Sequence, residues 1–157
     1  MVIEMTLNEK LEEIGESLPE VAAPAANYVP YVVENGFVSI SGQLPFLNGE
    51  KMFIGKLGDT VDVDEGVKAA RACALNILAQ LNAALAGDLS RLKRCVKLGG
   101  FVNATPEFTD HPAVINGGSD LIGEVLGDKG KHSRFAVGAA SLPFGVAVEM
   151  DALFAIS

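Results

Sequence analysis

Apolar residues recur at intervals of three and four through the middle of the chain: Val67, Ala70, Ala74, Ile77, Leu81 and Leu85. That is the stripe of an amphipathic helix. The spacing predicts a main helix capped by Asp64 or its neighbour, running to about residue 86 and stopped by Gly87. A second helix is expected after Asp110, with Pro112 tolerated in its first turn and Val114, Ile115, Leu121, Ile122 and Val125 on its apolar side. Gly117, Gly118 and Gly123 interrupt it, each weakening a helix by ~1 kcal/mol relative to Ala. Glycine in those places predicts close backbone approach, to a sheet or to a ligand. Near the start, Thr6-Leu7-Asn8-Glu9 has capping-box spacing. It opens an expected helix of about fifteen residues, with Leu7, Leu11 and Ile14 on one stripe.

Strand patterns fill the rest. Residues 31–33 and 37–41 flank Asn35-Gly36, a strong hairpin signal. Pro19 and residues 22–27 read as an ordered linker, and residues 44–63 as a loop carrying a short strand pair around Asn48-Gly49. Three further strands are expected at 92–102, 133–140 and 146–156, the last two joined by a turn at 142–145. The order helix, ββ, α, β, α, β, β predicts one α+β domain over 1–157. It is a mixed β-sheet with two helices packed on one face, plus an N-terminal helical extension in residues 1–20. The last strand is apolar on both sides: Val146, Val148, Met150, Ala152, Phe154 and Ile156 face one way, Ala147, Leu153 and Ala155 the other. Two helices cover one face only, so a second subunit is expected on the other. Glu149 and Asp151 share a side of this strand, two acids abreast in an apolar segment.

Charge and composition narrow the partners. The formal net charge is −8, with no Trp and two Tyr. An acidic chain without a basic stripe or stacking platform is not expected to bind nucleic acid. No run reaches the ~18 apolar residues that span a bilayer. The opening MVIEMTLNEK lacks the basic and apolar regions of a secretory leader, so a cytoplasmic location is expected. Cys73 and Cys95, without CxxC spacing, read as buried free thiols. Gly49 to Lys56 imitates a phosphate-binding loop with Leu57 where Ser or Thr is needed, and Ser90-Arg91-Leu92-Lys93 imitates an acylating serine without its companion motifs. His111 and His132, the only histidines, lie near element ends with no acidic spacing for a metal; solvation at a helix end accounts for them.

Polar groups stranded among apolar ones are the candidate chemistry. Arg134 opens an otherwise apolar strand, and a guanidinium there must find an anion. Either it pairs with Glu149 or Asp151 on a neighbouring strand, or it grips a substrate carboxylate bidentately. Ser41-Gly42-Gln43 ends a strand where a ligand can approach the backbone, or simply turns the chain.

Taken together, several segments resemble the RidA/YjgF/UK114 family over residues 26–156. They are Tyr28-Val29-Pro30-Tyr31, Ser41-Gly42-Gln43, Ala113-Val114-Ile115-Asn116, Arg134, Leu142-Pro143 and Val148-Glu149-Met150-Asp151-Ala152. The interval of 15 residues from Arg134 to Glu149 matches the family's arginine and glutamate. The N-terminal extension and the longer segment 127–133 resemble its longer-chain, endoribonuclease L-PSP-like branch. The resemblance implies a chorismate-mutase-like fold and a homotrimer with pockets between subunits. It implies hydrolysis of 2-imino or enamine acids to 2-oxo acids and ammonia, with no cofactor and no metal. Arg134 would hold the substrate carboxylate and Glu149 would orient or activate water. Tyr31, Ser41, Gly42 and Asn116 would line the pocket, and Asp151 would satisfy a structural donor or a subunit contact. Phe135 stands where the deaminating branch has Ser or Thr; strict alternation turns it away from Arg134. Two other activities are compatible with the resemblance: capture of a small carboxylate or oxo acid without turnover, and RNA cleavage, against which the acidic charge counts.

Overall fold

Two capping boxes start two of the helices. The computed structural model describes residues 4–21 and 26–157. In α1 (Leu7–Glu13), Thr6 accepts from the Glu9 backbone N–H while the Glu9 carboxylate accepts from Thr6. The helix spans seven residues, shorter than the spacing predicts. The chain leaves the helix at Ile14 and turns left-handed at Gly15, φ 76°. Leu7 and Leu11 are fully buried, but Ile14 is 37% exposed and drops out of the stripe. The box of α2 (Val63–Ala84) is built on Asp62, not Asp64. Asp62 accepts from the Glu65 N–H at 2.8 Å, and Glu65 accepts from the Asp62 N–H at 3.1 Å. Helix α3 (His111–Leu126) has Pro112 in its first turn, and Asp110 makes no side-chain cap. Part of the expected linker, residues 22–25, lies outside the described residues.

The strands are β1 (Tyr31–Glu34), β2 (Phe37–Gln43), β3 (Phe46–Leu47), β4 (Glu50–Lys51), β5 (Leu92–Asn103), β6 (Ser133–Ala139) and β7 (Val148–Ile156). Five of them form one sheet in the order β1-β2-β7-β5-β6, in which only β5 and β6 run parallel. Asn35 and Gly36 both take positive φ, 48° and 78°, as a type I′ hairpin turn requires, and Asn48-Gly49 repeats this between β3 and β4. Strand β2 runs on to Gln43 through a bulge: Ile40 pairs with Ala152 and Gln43 with Met150, so Ser41 and Gly42 occupy the irregular step. Strand β7 begins at Val148, two residues later than its apolar run. Val146 instead bridges to Ile54.

One face of the sheet carries the core. Val38, Ile40, Leu98, Val102, Val148, Met150 and Phe154 are buried there against α2 and α3. Helix α1 packs on α3. The glycines of α3 divide by what they touch. A Cβ at Gly117 would lie 2.9 Å from the Val67 carbonyl carbon on α2, and one at Gly118 would lie 2.7 Å from the Met150 sulfur. Gly123 has open space around it, so the expected close approach is absent there. Among the described residues nothing covers the other face, where Phe37, Phe101 and Val137 are 44%, 39% and 43% exposed. No helix of the described residues is long and apolar enough to cross a membrane.

Candidate functional site

The expected site residues fall into two groups, on opposite faces of the sheet. Register decides this. Leu98 of β5 stands beside Arg134 on β6 and Ala152 on β7, and Leu98 is a core residue, so Arg134 points to the helix face. Phe101 stands beside Glu149, and Gly99 beside Asp151 and Phe135, so these side chains occupy the open face. Strand β5 also separates β6 from β7. Arg134 therefore does not pair with Glu149 or Asp151, and no carboxylate among the described residues lies within ion-pair distance of it.

The first group hangs from α3. Arg134 NH1 donates to Asn116 Oδ1 at 2.8 Å and to Ser119 Oγ at 3.0 Å, while NH2 reaches the Pro112 carbonyl at 3.4 Å. Residues 112, 116 and 119 lie along one stripe of a helix, so a single face supplies all three acceptors. Both NH1 protons are occupied. The Nε–H and a second NH2 proton have no acceptor among the described residues, and these form the side-on edge of the fork that suits a carboxylate. The sequence pattern named Asn116 but not Ser119; the interval of three from Asn116 was the available signal.

The second group gathers at the β2 bulge. A Cβ on Gly42 would fall 3.1 Å from the Glu149 Cδ and closer still to Oε1. Only glycine lets the Glu149 carboxyl lie over this backbone. The neighbouring Ser41 is anchored, its hydroxyl donating to the Val29 carbonyl at 2.8 Å and its N–H to Pro30 at 2.9 Å. Tyr31 does not belong to this group: it pairs across β1 and β2 with the core residue Ile40, and its half-buried ring leans on the core, on the helix side of the sheet. Burial and the nearby Asp151 push the Glu149 carboxyl above its ordinary value. Asp151 is exposed and accepts no hydrogen bond among the described residues.

Phe135 does turn away from Arg134. Its ring lies over Gly99, where a Cβ would come within 2.6 Å of the ring. Phe101 meets it edge-on at 5.2 Å, and the Lys97 ammonium sits 5.5 Å from its centroid. Gly99 thus clears room for both Phe135 and Asp151, a requirement invisible before the pairing is known.

His111 stands at a helix end as expected, opening α3, whereas His132 does not. His111 packs edge-on against Phe108, with centroids 5.4 Å apart, in a cleft of about 580 Å³ that Lys56 and Thr105 also line. Lys56 is committed there to Asn103 Oδ1 at 2.7 Å and to the Ala140 carbonyl. None of the expected site residues lines that cleft. His132 bonds through both ring nitrogens, to the Gly130 carbonyl at 2.6 Å and to Ser119 Oγ at 2.9 Å. No group of three or more His, Cys, Asp or Glu among the described residues is arranged to hold a metal.

Residues 8–155 match the family described as "YjgF/chorismate mutase-like, putative endoribonuclease". Protein TCP17 of Trypanosoma cruzi is 53% identical over 144 residues, which is 91% of this chain and 89% of that protein. A crystal structure from Agrobacterium tumefaciens, of a protein described as having unknown function, is 48% identical with a TM-score of 0.90, covering 96% of this chain and 92% of the other. A Shewanella oneidensis structure named as a "putative endoribonuclease" is 35% identical with a TM-score of 0.92, covering 97% of this chain and 100% of its own.

Proposed function

We propose, on the premise that this chain belongs to the YjgF/chorismate-mutase-like family, that it hydrolyses small 2-imino acids to 2-oxo acids and ammonia. The supporting observation is the Arg134 fork. It is fixed on α3 by neutral acceptors at NH1, is without a carboxylate partner among the described residues, and has its Nε/NH2 edge free. A substrate carboxylate completes that edge bidentately and presents the adjacent C=N carbon in a defined direction. Water adds to that carbon to give a carbinolamine. A proton then moves from the added oxygen to nitrogen, and the C–N bond breaks to release ammonia. Glu149, with its raised carboxyl, suits the transfer of that proton at moderate pH. In one chain the fork and the acid face opposite ways. On this reading the active pocket therefore lies between subunits, of the homotrimer that the family resemblance implies, with Arg134 and Asn116 of one subunit meeting Tyr31, Ser41, Gly42 and Glu149 of the next. The chemistry calls on no cofactor, and a cytoplasmic site of action fits a substrate made by intracellular enzymes.

The test is imine hydrolysis. An amino-acid oxidase generates 2-iminopropanoate or 2-iminobutanoate, semicarbazide traps what survives, and wild type is compared with Arg134→Ala and Glu149→Gln. Wild type should lower the trapped imine and both variants should not. A monomer at micromolar concentration by sedimentation would overturn the shared pocket. The opposite orientation of Arg134 and Glu149 favours one second activity, capture of a carboxylate without turnover. Binding of 2-oxobutanoate that needs Arg134 but leaves imine intact would establish it.

A further inference from the structure

A directed chain of hydrogen bonds runs from Gly130 to Arg134, and from it we infer, given the carboxylate role proposed for Arg134, that His132 is a positioning residue for the guanidinium. With a neutral imidazole each link has a single direction. The Gly130 carbonyl can only accept, so His132 Nδ1 carries a proton and donates to it at 2.6 Å. The guanidinium can only donate, so Ser119 Oγ accepts from NH1 at 3.0 Å. That leaves the Ser119 proton for His132 Nε2 at 2.9 Å. The imidazole thus fixes which way the Ser119 lone pairs point. Without an acceptor at Nε2, a helical serine turns its proton to the carbonyl four residues back. Here that carbonyl belongs to Ile115, and the turn swings the lone pairs away from NH1.

The ring is itself anchored by close packing. A Cβ at Gly130 would lie 3.1 Å from the Ile122 carbonyl carbon and 3.2 Å from the Gly123 Cα, so only glycine lets this turn press on α3. Gly130, His132 and Arg134 sit two apart along the chain leading into β6. The helix-packed carbonyl, the ring and the fork are therefore placed by one short segment. Asn116 holds the other NH1 proton. Together Asn116 and Ser119 set the plane of the guanidinium, and bidentate capture of a carboxylate depends on that plane.

A carboxylate is held alike before and during hydrolysis, so disturbing its anchor raises KM with little effect on kcat. The variants are His132→Phe, which keeps a ring without nitrogens, and His132→Gln, whose amide oxygen can replace Nε2. Loss of one hydrogen bond's worth of alignment predicts a KM about 5- to 10-fold higher in His132→Phe, with kcat within about twofold of wild type. His132→Gln should recover most of the affinity. An independent arm is ¹⁵N NMR of histidine- and arginine-labelled protein. Wild type should show a protonated Nδ1 and an unprotonated Nε2 at His132; Ser119→Ala should shift Nε2, and His132→Phe should broaden the Arg134 Nε–H. An unchanged KM in His132→Phe, where Arg134→Ala abolishes activity, overturns the positioning role alone. An Arg134 Nε–H signal indifferent to His132→Phe overturns it also. If wild-type protein hydrolyses no imine, the proposed activity fails, and the NMR comparison still decides whether His132 orders the fork.

Discussion

Gly117→Ala should destabilise this protein although alanine is the better helix former. The added Cβ would sit 2.9 Å from the Val67 carbonyl carbon, 3.1 Å from its Cα, and closer still to its oxygen. Those atoms are backbone of α2 and cannot rotate aside, so the two helices must part by several tenths of an ångström or more. Overpacking of this kind costs ~1–3 kcal/mol, and rigid backbone places it at the upper end. The helix-propensity gain of ~1 kcal/mol offsets part of it, leaving a net loss of ~2 kcal/mol. Gly123→Ala is the internal control: same helix, same substitution, nothing within 4 Å of the new methyl. It should gain ~0.5–1 kcal/mol. A domain of this length shifts by ~2–4 °C per kcal/mol, so thermal unfolding should separate the two variants by ~5–12 °C, with wild type between them. Helix α3 also carries Asn116 and Ser119 on either side of the contact, so the displaced helix should loosen the Arg134 fork and raise KM. A Gly117→Ala midpoint at or above that of Gly123→Ala would refute the packing argument.

Asp62→Ala removes the side-chain half of the α2 capping box and should lower stability by ~1 kcal/mol, seen as a lower urea midpoint at unchanged slope; Asp64→Ala should do less. Glu149 is raised above its ordinary 4.5 by burial first and Asp151 second, so as pH climbs from there the folded chain retains a proton that the unfolded chain has released. That acid therefore subtracts stability as pH rises through the window between the unfolded and folded values. Glu149→Gln should flatten this slope and raise the neutral-pH midpoint, and parallel stability curves for the two proteins would contradict it. Cys73 is fully buried with its thiol pushed well up, and burial pushes Cys95 up to about 12, so neither should react with a thiol reagent at pH 8 until the chain unfolds. A fast-reacting thiol in native protein would show that one of these core positions opens.

Periodicity made α2 and α3 legible, although residues 72–81 of α2 are buried on every side rather than along one stripe, and the Asn-Gly pairs marked two hairpins because their turns need positive φ at both positions. Starts were easier to see than stops. The Thr6–Glu9 box announces α1, but Gly15 ends it one turn after Leu11, a stop the stripe ending at Ile14 concealed. At α2 the signal for the cap was the spacing: Asp62 has a glutamate three residues on, whereas the expected Asp64 has Val67. The end of β2 was placed early because a bulge breaks alternation at Ser41 and Gly42, the positions where Glu149 comes to lie. Ser119 was missed because a serine within a helix has no meaning until the strand beside it is known to carry Arg134.

The family's interval from arginine to glutamate survives here as 15 residues, yet proximity in sequence did not become proximity in space. Arg134 is the second residue of β6 and Glu149 the second of β7, and a sheet of order β7-β5-β6 puts a whole strand between them. Alternation then separates them further. Leu98 and Phe101 on β5 differ by an odd number of residues, so the neighbours of one lie on the opposite face from the neighbours of the other. Arg134 goes with Leu98 toward α3, and Glu149 goes with Phe101 toward the uncovered face. No side-chain rotation brings a residue through the sheet. A chemistry that uses both groups on one substrate thus requires two copies of this chain, with the α3 edge of one against the bulged β2 of the next. The uncovered apolar face, with Phe37, Phe101 and Val137 exposed, is the surface that such an assembly would bury.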